Sequence, residues 1–148
     1  MNKTNGSAVV TLWINRAVAI LMGVLLFALP ALLDWYAKYR ILGERGRIAL
    51  IISFYCCAVF VFVALWFMDA LLRSIGKGEV FVRQNVRRIR SIRLCCGFVS
   101  LICLPAALFY PPLIFLTVIM GFLCLVVSVV ASVMDAAVAI REENDLTV

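Results

Sequence analysis

The sequence predicts an all-α protein, a bundle of four transmembrane helices with a basic amphipathic interfacial helix before the third span. Three observations carry this prediction. Hydrophobic residues make up 66% of the 148-residue chain and charged residues 15%, too little polar surface to cover a soluble globule. The apolar residues gather in runs long enough to cross a bilayer, and Tyr110, Pro111 and Pro112 divide the longest run in two. Most of the charges that remain gather in the connections and the ends, with Arg16, Asp69 and Asp135 near the span boundaries.

The first span is placed at about residues 12–33, where AVAILMGVLLFALPALL is free of charge between Arg16 and Asp34. No small-residue cleavage site followed by a polar domain marks it as a removable signal. Pro30 lies near its far end, where a kink is tolerated. The second span, about 48–69, is uncharged from Ile48 to Met68 and exits at Asp69.

The third and fourth spans share one uncharged stretch from Leu94 to Met134, roughly twice the length that one crossing needs. A double proline removes two amide donors and biases the preceding residue away from the helix, so it predicts a tight turn there. The spans are then about 94–109, with Pro105 inside, and 113–140. The whole chain reads as a single membrane domain with a middle loop at 70–93 and a tail at 141–148.

Four spans place both termini and the middle loop on one side of the membrane. Arg73, Lys77, Arg83, Arg87, Arg88, Arg90 and Arg93, joined by Lys3, Arg16 and Arg141, outnumber Lys38, Arg40, Arg45 and Arg47 on the other side. Positive loops stay in the cytoplasm, so both termini are expected inside. Trp35, Tyr36, Tyr39 and Tyr110 would form an aromatic belt at the outer interface. With this distribution, a net charge of +6 is explained by topology, and direct nucleic-acid binding is not expected.

In GKGEVFVRQNVRRIRSIR, residues 76–93, Val82, Val86, Ile89 and either Ile92 or Arg93 follow helical spacing. Arg83, Arg87 and Arg90 take another face, and Phe81 is placed to dip into the interface. The plain reading is that Arg83, Arg87, Arg88, Arg90 and Arg93 fix topology and touch lipid phosphates. A sharper reading pairs them with the acidic tail, Glu142, Glu143 and Asp145, which emerges on the same side.

Acids inside membrane helices are candidates for function. Asp69 has Arg73 four residues on, which explains it as a local ion pair. Asp135 is expected to pair with Arg93 or Arg141, with an ion or proton site as the alternative. Ser128, Ser132 and Ala136 give the fourth span small-xxx-small spacings that favour close helix packing, within the chain or in a homo-oligomer.

Six cysteines, Cys56, Cys57, Cys95, Cys96, Cys103 and Cys124, all fall in apolar runs and read as small buried hydrophobes. With no histidine, and with adjacent cysteines pointing to different helix faces, no metal site is expected. Neither a phosphate loop nor an acid pair in a polar pocket can be found, so no catalytic residue, enzyme activity or cofactor is predicted.

The middle segment GKGEVFVRQNVRRIRSIRLCC, with Gly78, Phe81, Asn85, Val86, Ile89 and Ile92, and the ending IREENDLTV resemble the bacterial DUF2975 family of four-span membrane proteins of unknown function. The resemblance runs from the middle loop to the C-terminus and is most specific at Glu143, Asn144, Asp145, Leu146, Thr147 and Val148. It implies a plasma (inner) membrane protein of a bacterium. Because such proteins are often encoded beside a small helix-turn-helix transcription regulator, it also implies, by association, a membrane-bound partner or inhibitor of that regulator. The turn at Tyr110–Pro112 is shorter than in some relatives, which argues against a sensing loop there.

Phe81, Arg83, Asn85, Arg87, Arg88, Arg90 and Arg93, with Glu142, Glu143, Asn144, Asp145, Leu146 and Val148, are therefore the candidate contacts for a cytoplasmic partner or lipid. The ending adds a reading of its own: Leu146, Thr147 and Val148 as an edge strand added to a partner, or as a frayed terminus. The contrasting function is a small oligomeric transport or permeation subunit built around Asp135, Ser128 and Ser132.

Overall fold

The computed structural model describes residues 3–37, 44–78, 80–108 and 110–146, and these form four α-helices. They are α1 (Lys3–Ala37), α2 (Glu44–Gly76), α3 (Arg83–Ala107) and α4 (Leu113–Leu146). All four are long and apolar enough to cross a membrane. At 1.5 Å per residue, the 34 residues of α4 extend about 50 Å, well beyond a hydrocarbon core of about 30 Å. The charged ends of the helices therefore project past the apolar layer.

Successive helices run antiparallel. α1 packs on α2, α2 on α3 and α3 on α4, and no other pair brings its backbones together among the described residues. Large apolar side chains such as Trp13, Phe27, Trp66, Phe115 and Phe122 point outward, as helices in lipid require. The buried residues concentrate on α3, where Asn85, Ile89, Ile92, Cys95, Val99, Cys103 and Ala106 recur at steps of three or four. That stripe faces neighbours on both sides. Ile89 meets Leu71 of α2 and Ala131 of α4, while Ala106 meets Leu50 and Leu113 near the opposite end.

Polar side chains tie the pairs further. Asn15 donates to the Leu65 carbonyl at 3.2 Å, and Ser100 donates to the Thr117 carbonyl at 2.9 Å. Phe60 and Phe98 stack with ring centroids 5.1 Å apart. Gly97 and Gly121 bring α3 and α4 close, since a Cβ at Gly97 would stand 3.5 Å from Cys124 Sγ and one at Gly121 would stand 3.4 Å from Ser100 Oγ.

The helices are longer than the uncharged runs that announce them. α2 continues through Asp69 and Arg73 to Gly76, and α3 begins at Arg83, so the middle connection shortens from 70–93 to the few residues between them. Gly78 takes a φ of +83°, the left-handed conformation that reverses the chain after α2. Its amide donates to the Ile75 carbonyl at 2.9 Å. The expected amphipathic helix is present and continuous with the third span. Its apolar residues Val86, Ile89 and Ile92 are buried within the bundle rather than laid on lipid.

At the other turn, Tyr110 donates its amide to the Ala106 carbonyl at 3.1 Å, and α4 starts directly after Pro112. The tail is not a separate segment, because α4 carries it as helix to Leu146. This differs from an edge strand beginning at Leu146, while Thr147 and Val148 lie outside the described residues. Of the expected aromatic belt, Trp35 is exposed, Tyr110 packs against the cluster at Leu50, and Tyr39 lies outside the described residues. Asp34 and Arg47 form an ion pair between α1 and α2 at that end.

Candidate functional site

The basic residues of α3 occupy the same end of the bundle as the last turns of α2 and α4, because antiparallel packing sets the start of one helix beside the end of the next. Three arginines of α3 reach polar partners on α4 in sequence. Arg93 Nη1 donates to Ser128 Oγ at 3.1 Å, and Arg90 Nη2 donates to Asp135 Oδ2 at 2.7 Å. At the extremity Arg83 holds Glu142 with two nitrogens, Nε at 3.1 and 3.2 Å from the carboxylate oxygens and Nη2 at 2.8 Å from Oε2. This forked geometry fixes orientation as well as charge.

The pairing of loop and tail charges is thus present, between Arg83 and Glu142. Asp135 is also paired, but with Arg90 rather than with Arg93 or Arg141. The difference is one of register. In antiparallel helices the facing positions run in opposite directions, so Arg90 stands beside Asp135 while Arg93 falls level with Ser128.

A second polar cluster lies between α1, α2 and α3. Arg73 Nη2 is 2.5 Å from Asp69 Oδ2, the expected pair one helical turn apart, and Arg16 Nε of α1 approaches Asp69 Oδ1 at 3.5 Å. Nothing in the sequence signalled the contribution of Arg16, since it comes from another helix. Arg88 turns inward and donates through Nη1 to the Ala70 carbonyl at 3.1 Å and to Asn85 Oδ1 at 3.0 Å. Asn85 in turn donates to the Val80 carbonyl at 3.1 Å.

Asn85 is completely buried, so it is a structural latch between the loop and the start of α3 and not a surface available to a partner. Phe81, Val82 and Arg87 are exposed beside it, as are Glu143 and Asn144 on the last turn of α4. The backbones of Asp145 and Leu146 continue the helix.

Near the membrane interior the cysteines adopt an arrangement that adjacent spacing does not reveal. Cys57 Sγ on α2 lies 3.7 Å from Cys103 Sγ on α3. All six are free thiols.

The family described as "Protein of unknown function (DUF2975)" matches residues 34–148, from the end of α1 to the C-terminus. The chain belongs to the DUF2975 family. The match is longer than the resemblance of the middle loop and tail, since it includes all of α2. Within this DUF2975 protein, α1 is the helix that falls almost wholly outside the matched region, and it packs on α2 alone. No curated protein and no solved structure matches the chain. Family membership and the four apolar helices make it a multi-pass membrane protein of uncharacterised activity.

Proposed function

We propose that this protein is a membrane-embedded regulatory protein whose basic end engages a cytoplasmic partner, such as a small helix-turn-helix regulator. In this reading the protein sits in a bacterial plasma membrane with both termini in the cytoplasm, as its distribution of lysine and arginine favours. The observation that carries it is the Arg83–Glu142 pair, which joins the start of α3 to the last turns of α4 at 2.8 Å. Loop and tail become one surface, with Phe81, Val82 and Arg87 exposed beside the exposed Glu143 and Asn144. Aromatic and guanidinium side chains, here Phe81 and Arg87, are the kinds that protein interfaces favour.

The transport reading asks for free polar groups along a path through the bundle. Asp135 and Ser128, its main candidates, are engaged by Arg90 and Arg93. That favours the interaction protein.

The test is to purify the detergent-solubilised protein from its native host, with and without residues 141–148, and to identify what accompanies it. A cytoplasmic regulator present with the full chain and lost with the shortened one is the expected result. Recovery of homo-oligomers alone from both would overturn the reading in favour of a transport subunit.

A further inference from the structure

At the basic end, between α2 and α3, lies a pocket of about 380 Å³ bordered by Trp66, Asp69, Arg73, Lys77 and Arg88. Three of these side chains are cationic and one is anionic. Asp69 is already held by Arg73 at 2.5 Å and approached by Arg16 at 3.5 Å, so its charge is compensated from two helices. Arg88 spends Nη1 on Ala70 and Asn85, which leaves its other N–H donors. Lys77 is exposed and forms no ion pair among the described residues. The pocket therefore presents a surplus of positive charge and hydrogen-bond donors at one point.

A second concavity, of about 210 Å³, lies between α1 and α2 and shares Trp66 and Asp69 with the first as walls. Its walls combine Asn15, Arg16 and Asp69 with Ala19, Phe62, Leu65 and Trp66, and the surface they expose is mostly apolar. Trp66 stands at the junction with 77% of its surface exposed, although its indole is the kind of side chain that settles at headgroup depth. A donor-rich pocket joined to an apolar groove has the shape and polarity of a phospholipid: an anionic phosphate above, the start of an acyl chain below. We infer that this crevice binds an anionic phospholipid, with its phosphate between Lys77, Arg73 and Arg88 and a chain laid along the α1–α2 groove past Trp66.

Free inorganic phosphate shares the headgroup's chemistry but has no use for the apolar groove. The two sources separate in one experiment on the full-length protein in neutral detergent, with bound lipid followed by native mass spectrometry and by thermal unfolding. Phosphatidylglycerol should be retained and raise the unfolding temperature, whereas phosphatidylcholine and inorganic phosphate should do neither. Lys77→Gln should weaken phosphatidylglycerol binding about fivefold, the effect of about 1 kcal/mol for one basic residue near an anionic leaflet. Lys77→Arg should preserve binding.

Arg141→Gln removes an equal charge from α4, away from the crevice, and should bind like the unaltered protein. Equal retention of both lipids, no loss with Lys77→Gln, or an equal loss with Arg141→Gln would overturn the site. Lys77-dependent binding of inorganic phosphate as tight as that of phosphatidylglycerol would overturn the lipid assignment.

Discussion

Arg83 and Glu142 stand 59 positions apart in the chain and meet in a forked ion pair at one end of the α3–α4 hairpin. The pair is exposed to solvent, so its value lies in orientation more than in stability. It ties the start of α3, just after the loop at Gly78, to the end of α4 on one surface.

If the pair holds loop and tail together, Glu142→Lys should free the start of α3 and raise tryptic cleavage at Arg83 and Arg87 several-fold in reconstituted vesicles with that face accessible. The exchange Arg83→Glu with Glu142→Arg, which removes the tryptic site at position 83, should restore protection at Arg87. Cleavage unaltered by the single change would show that the contact restrains nothing.

Among the described residues near the loop, Asn85 is the one completely buried polar side chain, donating to Val80 and accepting from Arg88. Asn85→Ala leaves both partners short of a hydrogen bond, at a cost of about 1–3 kcal/mol. Thermal unfolding in detergent should report a clear fall in midpoint. A midpoint equal to that of the unaltered protein would contradict its role as a latch.

Gly97 and Gly121 define how near α3 and α4 approach. A methyl at Gly97 would make ordinary contact with Cys124, so Gly97→Ala should be tolerated and gain up to about 1 kcal/mol in helix propensity. Gly97→Leu should instead cost about 1–3 kcal/mol by forcing the helices apart. Unfolding midpoints that rank leucine at or above alanine would argue for a looser interface.

The register of α2 against α3 can be checked through Cys57 and Cys103, whose sulfurs lie 3.7 Å apart. In a variant keeping only these two cysteines, iodine should form an intramolecular disulfide and block alkylation of both when the protein is then unfolded in denaturant. A variant keeping Cys57 and Cys95 should remain open to alkylation under the same treatment. The reverse pattern would displace one helix along the other.

The spans were readable because lipid-facing and buried positions alike exclude charge, which leaves each crossing as an uninterrupted run. Asp69 with Arg73 was readable too, since i,i+4 neighbours on a helix meet whatever surrounds them. Pairing between helices depends on rotation and axial register, which composition does not encode. That is why Arg90, and not Arg93 or Arg141, faces Asp135, and why Arg16 arrived without warning at Asp69. Asn85 differs for a related reason: in the sequence it lies among arginines, as part of their surface, but on the helix it shares a face with Ile89 and Ile92. Helix ends also escaped the uncharged-run criterion, because a helix need not stop where the hydrocarbon does.

The order of packing, α1 on α2, α2 on α3 and α3 on α4, has a consequence for biogenesis. Each of α2, α3 and α4 finds a backbone partner in the helix synthesised just before it, so each hairpin can close as soon as its second helix leaves the insertion machinery. Short-range pairing of this kind lowers the entropy lost in bringing distant segments together. The ion pairs between α3 and α4 are then the last polar contacts to form, because Glu142 emerges only when α4 is nearly complete. The Arg83–Glu142 fork is thus a natural marker of the closed α3–α4 hairpin.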